Sequence, residues 1–273
     1  MAAPPELIDR AARAAVVELG HPLEAGMPNH VSHPPFILSP YLRHGDFELP
    51  GGYTGANELI VMSGHAGTHL DAFAHVGCNG RLLGGQNVAE AYRDGRLSDH
   101  TIDTVAPFVC RGVMLDIARQ RRVAALTPPE GIDAEELAAT AEREGVAIEP
   151  GDCVLVRTGH GSRWGDPQCY LGEESGLPGI TLEAAAWLAE SGVALVGSDT
   201  PIVERCDPGG VSLPVHLLLL AEHGVHLLEN LELEALHAAG AVEFLFVCVP
   251  LRLAGSTGSP VRPLALLEGD PAS

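Results

Sequence analysis

From about residue 110 onward, apolar positions recur with a helical period and then in short unbroken runs, and the two patterns alternate. Asp133, with Glu136 three residues later, makes a capping-box start for a helix that runs to about Glu144 and is closed by Gly145. The run Cys153 to Arg157 then predicts a buried strand. Thr181 caps a second helix, LEAAAWLAESG, and VALVG at 193–197 comes next as a strand. Further on, VHLLLLAEHG predicts a helix stopped at Gly224, VHLLEN a short strand, Asn230 the cap of LELEALHAAG, and VEFLFVCV a long central strand. The closing GSTGSPVRPLALL is a Gly/Ser/Pro loop leading into one more strand. Such an alternation is the mark of an α/β fold.

The first hundred residues are less regular. MAAPPELIDRAARAAVVELG reads as a short amphipathic helix without the basic start of a secretory signal. The Pro- and Gly-rich section from His21 to Gly55 predicts long functional loops, and ANELIVMSG predicts the strand that delivers the histidine cluster at 65–75. With no internal repeat and no linker, residues 1–273 are expected to form one domain. No run of about 18 apolar residues is present, so a spanning helix is not expected and a cytoplasmic location is.

Composition narrows the chemistry. A formal charge of −20 repels phosphate backbones and anionic lipid, which argues against nucleic acid and membrane as partners. All sixteen basic residues are arginine, which removes P-loop enzymes and Schiff-base enzymes, since each needs a lysine. The six cysteines form no C-x-x-C pair and read as buried thiols.

Residues 63–77, SGHAGTHLDAFAHVG, place three histidines around an aspartate. If the incoming strand ends near Gly64, Gly67 lets the chain turn sharply, and His65, His69 and Asp71 converge from either side of the turn. Two imidazoles and a carboxylate are a common ligand set for a catalytic divalent ion, with positions left open for water and substrate. His75 falls one turn beyond Asp71 if a helix begins there, beside the metal, where a proton shuttle belongs.

HAGTHLDAFAH resembles the H-x-G-T-H-x-D-x-x-x-H signature of the cyclase family of metal-dependent hydrolases, which includes bacterial kynurenine formamidase and isatin hydrolase. The resemblance implies a swivelling β/β/α fold, with a mixed sheet or barrel-like core and flanking helices. It implies metal binding by His65, His69 and Asp71, and an acid/base role for His75. PVHLLLLAEHGVHLLENL resembles the family's downstream His and Glu segment, which puts a second ion, bridged by Asp71, on His216 and Glu229. His223 and His226 are read as structural. A small-molecule substrate and a homodimer or homotetramer are implied as well.

The reaction so implied is hydrolysis of an N-formyl arylamine, cyclic amide or imide, with zinc or manganese as one or two ions per chain. A lactone or ester hydrolase on the same site, and a metal- or ligand-binding protein without turnover, are the alternatives. Many members carry proline where this chain has Phe73, which makes that ring a candidate substrate contact. Arg157 and Trp164, in VRTGHGSRWGD, are either a clamp for an anionic or aromatic substrate or a strand end with a surface loop. Asp199 is either a partner for a ligand histidine or a turn residue.

Overall fold

The computed structural model describes residues 5–210 and 212–268. Residues 1–4, at the start of the segment read as an amphipathic helix, lie outside them. In chain order the principal elements are α1 (Pro5–Arg13), β1 (Ala15–Glu18), β2 (Ile37–Leu42), β3 (Asn57–Val61), β4 (His69–Asp71), β5 (Phe108–Asp116), α2 (Ala134–Glu144), β6 (Cys153–Arg157), α3 (Leu182–Glu190) and β7 (Leu195–Ser198). They continue with α4 (Pro214–His216, extended by a π-helical stretch Leu217–His223), β8 (His226–Glu229), α5 (Glu234–Ala238), β9 (Glu243–Cys248), β10 (Gly258–Pro260) and β11 (Leu264–Leu267).

Nine strands form one mixed sheet in the order β1-β11-β9-β5-β6-β7-β8-β4-β10. The four in the middle, β5 to β8, are mutually parallel, and the outer strands pair antiparallel. Side-chain alternation assigns the two faces. Val154 and Val156 of β6 pack with α2, α3 and α4 through Leu137, Ala184, Leu188, Leu219 and Leu220, whereas Cys153 and Leu155 pack on the other side with Leu228, Leu236 and Phe246. A strand covered on both faces must be apolar throughout, which is why CVLV shows no polar alternation. Each fully buried leucine in these layers contributes roughly 2 kcal/mol of transfer free energy.

The capping predictions hold for the two long helices. Asp133 accepts from the Glu136 N–H and Thr181 from the Ala184 N–H, and Gly145 closes α2 in the left-handed region. Several expectations are corrected. VVE at 16–18 is strand, not helix, because it pairs with β11. ANELIV does not deliver the histidine cluster: β3 pairs with β2 in a separate hairpin, and β4 carries the cluster instead. Asn230 sits at φ +56° and does not cap α5, whose first N–H groups are met by the Glu232 carboxylate. The VEFLFVC strand is interior but third from the edge rather than central, and the loop before β11 contains a further strand, β10. Cys153 and Cys248 are buried as expected, while Cys169 is exposed and Cys78, Cys110 and Cys206 are half-buried. Among the described residues no helix is long and apolar enough to cross a membrane.

Candidate metal centre

The centre forms where β4 lies between β8 and β10. In the register, Glu229 opposes His69 and Leu227 opposes Asp71. Because side chains alternate along a strand, His69, Asp71 and Glu229 all project to the face occupied by α4, and α4 brings His216 there in its first turn. The turn before β4 requires two glycines. Gly67 adopts φ +58°, and a Cβ on Gly258 would stand 2.5 Å from the His65 ring. Asn230 braces the turn: its Nδ2 donates to the Gly67 carbonyl at 2.9 Å, and Thr68 Oγ1 donates to the Asn230 carbonyl at 2.5 Å.

Six residues singled out from the sequence are brought together. The two oxygens of Asp71 face opposite sides. Oδ1 lies 2.7 Å from His65 Nδ1 and 3.6 Å from His69 Nε2, while Oδ2 faces His216 Nε2 at 3.8 Å. Glu229 closes the other side, with Oε2 at 3.3 Å from His69 Nε2 and Oε1 at 3.2 Å from His216 Nε2. The donor atoms of His69, Asp71 and Glu229 lie within 4.8 Å of one another, and so do those of His65, Asp71 and His75. Asp71 is common to both groups. His75 ends a short 3-10 turn, and its ring rests on the His65 ring with centroids 4.0 Å apart.

In each histidine proposed as a ligand, the nitrogen turned away from the centre has a protein partner. His65 Nε2 is tied to Thr257 Oγ1 at 2.9 Å, His69 Nδ1 donates to the Gly67 carbonyl at 2.9 Å, and His216 Nδ1 makes a short contact with Glu204 Oε2. Holding the outer nitrogen fixes the ring and leaves the inner lone pair for a cation.

These residues fit a divalent ion. His65 Nδ1 and both Asp71 oxygens are buried without a hydrogen-bond partner, since the close His65 contact lacks hydrogen-bond alignment. Such atoms are costly unless a cation satisfies them. The field of the site favours positive charge. Burial opposes protonation of His216, yet Glu229 and Glu204 raise it well above the ordinary range, and Glu229 and Asp71 do the same for His69 to a lesser degree. Burial likewise opposes ionisation of Asp71, but the His75, His65 and His69 rings hold its carboxyl below the usual range. Burial pushes His75 down to about 4, so its ring is neutral at pH 7.

Of the three candidate substrate contacts, Arg157 is held within the fold, and Phe73 and Trp164 stack on other rings. Arg157 is a correction: it is buried, with Nη1 on Asp116 at 2.8 Å and a two-pronged grip on Glu234, so its charge is already used within the fold. The Phe73 ring stacks on His226 with centroids 4.0 Å apart and packs against the core of β8 and α4. Trp164 stacks on His21 at 4.0 Å and meets Tyr170 edge-on. His226 donates from Nδ1 to the Asp71 carbonyl, which is the structural role read for it, and His223 is exposed at the end of the π-helical stretch. Asp199 holds no histidine; its carboxylate accepts from Thr158 N and Oγ1 and from Gly159 N.

Three residues escaped sequence reasoning: Glu204, Thr257 and Asn230 as a brace. The only signal for Glu204 is an acidic residue in a short mixed stretch, which is common in surface loops. Its burial, at 1 % exposed, comes from the tertiary fold.

Known proteins match the chain over most of its length. Isatin hydrolase of Roseibium aggregatum is 27% identical over 213 residues, 76% of this chain and 73% of that protein. Kynurenine formamidase of Bacillus cereus is 28% identical over 204 residues, 74% of this chain and 76% of that protein. The crystal structure of a novel cyclase superposes with a TM-score of 0.84 at 26% identity, covering 97% of this chain and 92% of that one. The putative cyclase family model matches residues 17–205, a span that takes in the histidine cluster, the parallel strands β5 to β7 and Glu204, and the chain belongs to the cyclase family.

Proposed function

We propose that the chain is a metal-dependent hydrolase that cleaves a non-peptide amide C–N bond, in an N-formyl arylamine, a cyclic amide or an imide. The observation that carries this reading is Asp71, buried, unpartnered, and turned with one oxygen to His65 and His69 and the other to His216. The names of the two sequence relatives, a kynurenine formamidase and an isatin hydrolase, support the bond type.

His65, His69 and Asp71 would hold one zinc or manganese ion, and Asp71, His216 and Glu229 a second where two bind. When bound, the metal supplies a water acidic enough to attack at neutral pH and a Lewis acid for the carbonyl oxygen. His75, neutral and in van der Waals contact with the His65 ring, takes the proton of the attacking water and returns it to the leaving nitrogen. His75 is thus the acid/base, and the remaining residues hold and orient.

The test is His75→Asn assayed against N-formyl anilines, cyclic imides and lactones, with metal content measured by mass spectrometry. Turnover of the amides by wild type and its loss by about a hundredfold or more in the variant, at unchanged metal content, is the expected outcome. Undiminished turnover in the variant overturns the role of His75, and turnover of lactones alone makes the enzyme an esterase on the same site.

We also infer that the chain works as a homodimer or homotetramer through the β2–β3 hairpin. Ile37, Leu38, Tyr41, Leu59, Ile60 and Val61 are all 43% exposed or more there. An isolated two-stranded hairpin is at best marginally stable in water, so a covering partner fits it. The accessible surface, 14107 Å², exceeds the about 11,300 Å² of a compact monomer of this mass. The excess is of the order that one protomer of an obligate dimer buries. The partner is a second copy of this chain.

A further inference from the structure

One short strap, Val203–Glu204, reaches both residues of the His216 and Glu229 half of the centre. Glu204 is 1 % exposed, and its Oε1 accepts from the N–H groups of Val215 at 3.1 Å and His216 at 3.4 Å, while Oε2 meets His216 Nδ1. One residue earlier, the Val203 N–H donates to Glu229 Oε1 at 3.1 Å. The strap is fixed from behind. Ile180 N–H donates to the Val203 carbonyl at 3.0 Å and Arg205 N–H to the Ile180 carbonyl at 3.1 Å. Gly179 packs so closely that a Cβ there would stand 2.3 Å from the Glu204 carbonyl carbon.

We infer that Glu204 is a positioning residue for a divalent cation held by His216 and Glu229, and that the strap sets both ligands at once. The inference rests on the proposed metal centre. With Nδ1–H donating to a buried carboxylate, the His216 ring is held in one tautomer and one orientation, and Nε2 is left facing Asp71 Oδ2 and Glu229 Oε1. The same carboxylate anchors the backbone N–H groups of Val215 and His216, so the first turn of α4 and the ring move together. Both oxygens of Glu204 act as acceptors. A glutamine in this place offers one acceptor and one donor, and the donor faces either a backbone N–H or His216 Nδ1–H. Loss of charge alone, at equal volume, therefore breaks one of the two contacts.

Metal-stripped wild type, Glu204→Gln and Glu204→Ala are titrated with zinc alone by calorimetry, and ions per chain are counted by mass spectrometry. The expected result is that one uptake step weakens about tenfold in Glu204→Gln and up to about a hundredfold in Glu204→Ala. Where two steps occur, the other, held by His65 and His69, stays within about twofold. Long-range proton–nitrogen NMR of the zinc-loaded protein reads the His216 tautomer: Nδ1–H in wild type, and loss of that single state in the variants. Should Glu204→Ala fail to fold by circular dichroism, Glu204→Gln carries the test. Wild-type zinc affinity and an unchanged His216 tautomer in the folded variants overturn the role of Glu204 and leave the metal centre standing. A wild-type protein that takes up no zinc overturns the metal-centre reading itself.

Discussion

Arg157 and His75 mark how far single residues are legible. His65, His69, Asp71 and His75 are readable as one candidate cluster because a divalent ion demands particular side chains at a spacing that one turn can gather, and the fold brings the four together. Arg157 is misread from its glycine-rich neighbours, because the two carboxylates that claim it come from Asp116, forty-one positions earlier, and Glu234, seventy-seven later. Its replacement separates the roles. Arg157→Met removes the ion pairs to Asp116 and Glu234 while Asp116 keeps the Arg119 N–H and the His237 ring, and is expected to lower stability by about 1.5–3 kcal/mol, with little change in KM for the folded fraction. Urea denaturation beside steady-state kinetics measures both, and a raised KM at unchanged stability would return Arg157 to the substrate. Thr257 is illegible for the same reason as the partners of Arg157, since a hydrogen bond across 192 residues leaves no local pattern, and Glu204 because its partners eleven and twelve residues on follow no helical or strand period.

Among the elements, α2 and α3 are legible because cap and buried face agree, and β6 and β8 because a short unbroken apolar run is buried throughout. β3 shows where composition misleads. Its β-forming residues predict a strand correctly but not which sheet it joins, since a hairpin and a core strand use the same residue types. The turn after β6 carries a pH-dependent contribution. His160 is fully buried, donates from Nε2 to the Tyr170 carbonyl at 2.7 Å, and is pushed by burial down to about 4. Its folded value lies below the unfolded one, near 6.5, so its contribution is present above pH 6.5 and is lost as the pH falls through 4. Roughly 3 kcal/mol is at stake. Urea midpoints measured from pH 7 to pH 4 should fall less steeply in His160→Gln than in wild type; parallel slopes would remove His160 as the cause.

For the whole molecule, the α/β rhythm is legible in the sequence and the mixed sheet follows from the family resemblance, but strand order is set by tertiary pairing that no local pattern encodes. The exposed hairpin is tested at this scale. Leu38 and Ile60 oppose each other in the β2–β3 register, so Leu38→Glu with Ile60→Glu places two like charges on the proposed contact. Light scattering at micromolar concentration is expected to give a dimer or tetramer for wild type and a monomer for the double variant. A monomeric wild type would sink the assembly. The placement of β10 beside β4 has a consequence for biosynthesis. Thr257 holds His65, and Gly258 and Pro260 oppose Asp71 and His69, although nearly two hundred residues separate them along the chain. The candidate ligands of residues 65–71 are translated well before residues 257–260 and lack those supports until the later residues have left the ribosome. A chain not yet extended to β10 therefore carries a histidine-rich, half-assembled site, and the candidate centre is complete only once β10 has paired with β4.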